Sequence, residues 1–326
     1  MSAPYIALIL PDNNGMDATL RSLRAVAVGA HVVAGGQVEQ VLGDVGPDLK
    51  GVFVHADQLD DALAGLKGRP GRIPVVVFTP ETREETLELM LRKPQVVGMI
   101  AWGEGGARTW ELMYLSRRLL ADAEEAPEMH QLMAWGATTV SWLPKTTEQQ
   151  RTIVQRIEGM CKRLGVERRV GAAVSTAAHE LLMNAMYDAP VGSKGRPRYA
   201  HDRTAHIELL PHEVPSLRFT ASGDWLALDA IDPFGRLPRH RFFEGVLRGH
   251  RAMTGAGGPT LDTSHGGAGL GLHTLYMSGA VLRAELTPMV RTHVSWVYDR
   301  TVDRRKRLKT PRSLFFLPNL KKKVRK

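Results

Sequence analysis

The apolar positions follow two different rhythms along this chain. In the first third they gather in short unbroken runs, at residues 5–10 (YIALIL), 51–54 (GVFV), 74–78 (PVVVF) and 97–101 (VGMIA). The runs are rich in β-branched residues and too short for buried helices, so they predict strands covered on both faces. Between them lie stretches with helical spacing, at 16–28 (Leu20, Leu23, Val26), 81–91 and 108–120. Strand runs alternating with helices predict βα units around a parallel sheet. Turn-forming residues close the runs: Pro11, Asp12 and Gly15 after the first, His55 and Asp57 after the second, Thr79 and Pro80 after the third.

After an acidic, proline-containing stretch at 121–128, read as a linker, the rhythm changes. A strand is predicted at 138–143, then a long helix at 147–164, where Ile153, Ile157, Met160 and Leu164 recur at helical spacing. A second long helix follows at 170–187, then a polar loop at 194–202. Strands are expected at 206–210, 216–221, 225–231, 280–286 and 293–298. Strands massed beside two or three long helices predict an α+β layer separate from the first sheet. The fold class is therefore α/β: a parallel sheet with helices, then an α+β sandwich. No internal repeat is visible.

Composition fits this division. The 326 residues suit two ordinary domains, and 43% hydrophobic residues are enough for a core in each. No apolar run approaches the length of a membrane span, and the first residues lack a basic stretch followed by a long apolar one, so no secretory signal is expected. Cys161 is the single cysteine, which excludes an internal disulfide and a thiolate metal cluster. A soluble cytoplasmic protein is expected. The net charge of +9 is concentrated at one end, where residues 300–326 hold twelve Lys and Arg against one acid, Asp303. The rest is near neutral, so the folded domains carry no implied nucleic-acid surface. The segment 301–326 reads as a basic tail with an apolar patch at 313–320 (SLFFLPNL). That pattern suits an anionic membrane, nucleic acid or an acidic partner, and equally a solvated tail.

Three segments of the second half carry candidate chemistry. Glu180 and Asn184 are four residues apart and share one helix face, with Asp188 a turn further on. A carboxylate and an amide stacked this way can hold a hydrated magnesium ion and a water; an ordinary polar helix face gives the same pattern. Asp232 ends the apolar strand Leu228-Asp-Ala-Ile-Asp232 and is followed by Gly235. An acid there can accept a hydrogen bond from an adenine amino group; Asp-Pro with a later glycine is also a plain turn signal. Gly266, Gly267, Gly269, Leu270 and Gly271 open a helix. Glycines there expose backbone N–H groups to a phosphate, but the string alone is weak. It does not open a βαβ unit, and it lacks the Lys-Ser/Thr of a P-loop.

In order and spacing, these segments resemble the GHKL superfamily of Bergerat-fold ATPases and kinases over residues 130–300. The N-box resembles the stretch with Glu180 and Asn184, the G1 box that with Asp232 and Gly235, and the G2 box residues 266–271. Thr292 resembles the threonine that follows those boxes. The resemblance implies ATP with Mg2+ as cofactors, Asn184 on magnesium, Asp232 on adenine, the glycine loop over the phosphates, and Glu180 polarising a water or hydroxyl. It also implies a mobile lid over residues 236–265. The G1 box lacks the second glycine common in histidine kinases, and no phosphoacceptor helix precedes it. The nearest resemblance is thus to anti-sigma-factor serine kinases. Residues 1–124 resemble a response-regulator receiver, with Asp57 near the phosphoacceptor position. The expected lysine after the last strand is replaced by Trp102 and Gly103, which points to a degenerate receiver used for protein contacts. The expectation is an ATP-dependent signalling regulator that phosphorylates or otherwise controls a partner protein, with a homodimer also open. An inert nucleotide-gated scaffold is the alternative.

Overall fold

The structure is a computed structural model that describes residues 3–12, 14–103, 106–120, 129–133, 136–192, 195–254, 270–302 and 310–318. The fold is mixed α/β, in two compact units: residues 1–132 with 304–315, and residues 133–303 with 316–326. Among the described residues no helix is long and apolar enough to cross a membrane.

The first unit runs β1 (Tyr5–Ile9), α1 (Asn14–Val26), β2 (His31–Gly35), α2 (Val38–Asp44), β3 (Leu49–His55), α3 (Leu59–Gly65), β4 (Val75–Thr79), α4 (Glu84–Arg92), β5 (Val96–Ala101), α5 (Thr109–Leu120) and the short α6 (Met129–Leu132). Its strands lie in the order β2-β1-β3-β4-β5, each parallel to its neighbours, the doubly wound arrangement. The apolar runs at β1, β3, β4 and β5 are buried almost throughout, as strands covered on both faces should be. Three elements lie outside the sequence expectation. β2 is an edge strand, half-buried at best and with no long apolar run to announce it. α2 and α3 have seven residues each, and each buries only three side chains: Val38, Val41 and Leu42, and Leu59, Ala62 and Leu63.

The apolar patch at 313–318 is a strand, β11 (Ser313–Pro318). Its Leu314 and Phe315 pair antiparallel with Met99 and Gly98 of β5. The Ser313 hydroxyl accepts from the Ala101 N–H (3.0 Å) and donates to the fully buried Glu111 carboxylate (2.9 Å), which also takes Arg108 at 2.8 Å. This patch is core; the basic residues at 319–326 lie outside the described residues.

The second unit runs β6 (Thr138–Trp142), α7 (Thr147–Arg163), α8 (Arg168–Met183), a π-helical turn (Asn184–Asp188), β7 (Ser216–Ala221), β8 (Trp225–Asp232), α9 (Arg239–Thr254), α10 (Leu270–Ser278), β9 (Val281–Thr287) and β10 (Arg291–Asp299). The strands form an antiparallel sheet in the order β9-β10-β8-β7-β6. Thr146 caps α7, its hydroxyl accepting from the Gln149 N–H at 3.2 Å. α8 packs on α7, α10 and β8.

Register divides the sheet residues by face. Leu217, Phe219, Leu228, Ala230, Leu282, Ala284, Val294 and Trp296 alternate onto the side covered by helices, where the Trp296 indole N–H donates to Leu275 O of α10 at 3.0 Å. Asp232 and Thr292 share that side. Two expectations differ from what is found. Residues 206–210 form no strand; Glu208 makes an isolated bridge to Thr146 and Leu209 donates to Lys145 O. The first half of the expected lid is a 16-residue helix, α9, with Phe242, Phe243, Val246 and Leu247 buried. An amphipathic stretch of that length buries its apolar face rather than remaining a free loop.

Candidate functional site

The acid at the end of β8 is the most constrained residue of the site. Asp232 is 7% exposed, and its carboxylate accepts from the backbone N–H of Phe234 at 2.9 Å, with Gly235 and Thr292 as further donors. Asp232 and Thr292 are register partners on β8 and β10, which brings the threonine hydroxyl to the carboxylate. Burial pushes the Asp232 pKa up to about 6, against the pull of these hydrogen bonds.

Gly235 is required by close approach. Its φ is +60°, and a Cβ there would fall 2.1 Å from Thr287 O and 2.7 Å from the N–H groups of Val290 and Arg291. The turn between β9 and β10 closes on this glycine through a Met289 N–H to Gly235 O bond of 3.1 Å. Asp232, Gly235 and Thr292 thus meet at one end of the sheet.

Glu180, on the last turns of α8, is half-buried. The first turn of α10 lies directly against it, since a Cβ on Gly271 would fall 2.2 Å from Glu180 Oε2. The N-box-like and glycine-loop segments, some ninety residues apart in sequence, therefore meet at Glu180 and Gly271. Leu270 is the first residue of α10. Gly266, Gly267 and Gly269 lie outside the described residues, as do Gly255, Gly257 and Gly258 of the expected lid.

Asn184 and Asp188 open and close the π-helical turn that extends α8; such turns recur at functional sites. One guanidinium holds both. Arg203 Nη2 donates to Asn184 Oδ1 at 3.3 Å, and Nε and Nη2 together grip the Asp188 carboxylate, with Nε at 3.3 Å. Burial raises the Asp188 pKa above the ordinary carboxylate value, while Arg203 and Arg241 of α9 pull it back. Sequence reasoning overlooked Arg203, which sits in a polar loop with no periodic signal.

The magnesium that the family resemblance implies can be tested against this donor set. It would need Asn184 Oδ1 and room for a hydrated ion. The amide oxygen already faces a guanidinium, and the neighbouring carboxylate is paired with the same cation. No group of three or more His, Cys, Asp or Glu among the described residues is arranged for a metal. As they stand, these residues do not fit magnesium.

On the opposite face of the same sheet runs a buried polar network that the sequence did not announce. His293 Nε2 meets Asp229 Oδ1 at 2.8 Å, Ser295 donates to the same oxygen, and Arg283 Nε donates to Ser295 at 2.8 Å. Burial would raise the Asp229 pKa, but His293, Arg283 and Ser295 together hold it below the ordinary value. Ser295 Oγ and His293 Nε2 lie 3.2 Å apart and converge on the same carboxylate oxygen, a closed, buried structural network.

In the first unit, Asp57 lies in a short 3-10 turn just past β3, its side chain 60% exposed. Arg83 Nη1 pairs with it at 2.6 Å, and Arg83 Nε pairs with Glu81 at 3.0 Å. The adjacent strand ends hold His55 and Trp102, edge to face at 5.3 Å, with the Trp102 indole donating to Thr19. Burial keeps the His55 pKa low.

No protein-family model and no curated protein matches the chain. Among solved structures, it is similar to the SiaB–SiaC complex from Pseudomonas aeruginosa, with a TM-score of 0.33 and 15% identity over 49% of this chain and 88% of that one.

Proposed function

We propose that the second unit binds ATP and that the chain is a signalling regulator of the GHKL type, acting on a partner protein by phosphorylating it or by changing its affinity for it. The observation that carries this reading is the convergence of two remote segments. The glycine-loop helix lies against Glu180 of α8, while a buried carboxylate, Asp232, stands at the end of β8 with Thr292 and Gly235 around it. A buried acceptor suits a ligand that donates N–H, such as the adenine amino group. The N-terminus of α10 suits the phosphates, and Glu180 suits activation of a water or a substrate hydroxyl.

Calorimetry with ATP and turnover of γ-labelled ATP test it. Glu180→Ala is expected to keep ATP affinity within about threefold and to lower turnover roughly 100-fold or more, the scale of general-base loss. Absence of ATP binding by the wild-type chain overturns the reading. Binding without turnover in both chains favours the second reading, a nucleotide-gated scaffold. That reading draws on the first unit, where Asp57 is engaged by Arg83 and an aromatic pair occupies the strand ends.

A further inference from the structure

Arg203 is presented by a built turn rather than a loose loop. Asp202 Oδ1 accepts from the Thr204 N–H at 2.9 Å and from its hydroxyl at 2.6 Å, an Asx-type turn around Arg203 itself. The next residue is anchored to the helix that carries the site: the Tyr187 hydroxyl, inside the π-helical turn, donates to Ala205 O at 2.8 Å. Thr147 of α7 ties the same segment, accepting from the Ile207 N–H at 3.0 Å. The guanidinium is therefore presented by a closed local turn whose C-terminal side is tied to α7 and to the π-helical turn. Its side chain is only 15% exposed.

The donor arithmetic leaves capacity for a ligand. Arginine has five N–H groups in a planar fork, and Nη1 has no hydrogen-bond partner among the described residues. Arg241 of α9 adds a second positive charge near Asp188. A magnesium ion on Asn184 Oδ1 would stand beside the guanidinium that already contacts this oxygen, and two cations so close repel strongly in a partly buried site. A planar guanidinium also matches phosphate oxygens well.

We propose that Arg203 supplies the positive charge at Asn184, so that this pocket binds the phosphates of a nucleoside triphosphate without a divalent cation. The inference rests on the nucleotide reading above and deepens it, naming the metal-free nucleotide as the ligand and Arg203 as its phosphate contact. It predicts that the N-box amide orients the guanidinium instead of ligating a metal.

The test titrates the full chain with ATP by calorimetry, in excess magnesium and in excess EDTA. The wild-type affinity should be the same in both within about threefold, and Mn2+ added with ATP should show no protein-bound EPR signal. Arg203→Ala removes a charge-assisted contact, so its affinity in EDTA should fall by about tenfold or more. With Asn184 released from the guanidinium, magnesium should restore part of that loss. Arg203→Lys, which keeps the charge but not the fork, should fall between the two. A wild-type affinity that collapses in EDTA overturns the proposal, and an Arg203→Ala chain that then binds magnesium–ATP as tightly or tighter makes Arg203 a competitor of the metal. This wild-type comparison decides even if the variants fold poorly. Failure of the wild type to bind ATP in either buffer is a different result, since it removes the nucleotide reading and this inference with it.

Discussion

Each unit sets one carboxylate at or just beyond a strand end, and the two are built in opposite ways. Asp57 in the first unit is 60% exposed and already neutralised by Arg83 at 2.6 Å. Asp232 in the second is buried, pushed up to about 6, and has no cation paired with it among the described residues. A solvated, paired acid costs the fold little and asks nothing of a ligand. A buried acid satisfied only by hydrogen bonds costs stability, and it persists where an incoming donor can use it. The difference lies in how each charge is met: a side-chain cation answers the first carboxylate, and hydrogen bonds alone answer the second.

The comparison can be broken most forcefully at the glycine beside the buried acid. Gly235→Ala forces a side chain into backbone at 2.1 Å with φ +60°, and should destabilise the second unit by more than about 4 kcal/mol or prevent its folding. Gly103→Ala, in open space at the end of the first sheet, should stay within about 0.5 kcal/mol. Urea unfolding followed by tryptophan fluorescence separates these outcomes.

The next effect is pH-dependent. The folded pKa of Asp232, about 6, lies above its ordinary 3.8, so the folded state favours the protonated form. Stability assigned to this group is complete below about pH 4 and is lost as pH rises through 6. Asp232→Asn removes that loss, so relative to wild type it should gain up to about 3 kcal/mol on going from pH 4 to pH 8. The same variant should bind ATP more weakly relative to other nucleotides. A stability difference that does not change with pH would mean the carboxylate is not buried as described.

The smallest effect is expected at the other acid. Asp57→Ala should change stability by no more than about 0.5 kcal/mol, the scale of an exposed ion pair, and leave ATP affinity untouched. A large loss of ATP affinity in Asp57→Ala would erase the contrast between the units.

Much of this was legible in the chain itself. The unbroken apolar runs of β1, β3, β4 and β5 and the helical spacing of α7 and α8 located those elements to within a few residues, because burial on two faces, or on one helical stripe, leaves a strong periodic mark. β2, α2 and α3 were not legible, because they are short and bury only a few side chains. Residues 206–210 carry the alternation of a strand without the pairing of one. For the candidate site, Glu180, Asn184 and Asp188 could be grouped from helical spacing, and Asp232 with Gly235 from a strand end. Nothing in spacing points to Arg203, nor to the Asp229, His293, Ser295 and Arg283 network, whose members lie on three strands brought into register by the fold.

By itself, then, the sequence determined the class of each half and the local positions of the candidate residues, because periodicity and turn chemistry act over a few residues. Tertiary structure alone decided what those residues touch. It placed Gly271 on Glu180 and Thr292 on Asp232, and it turned part of an apparent basic tail into a core strand. It also laid a guanidinium where the family resemblance would put a metal. Such contacts depend on segments tens of residues apart meeting in space, and burial, pairing and charge at a site follow from those meetings.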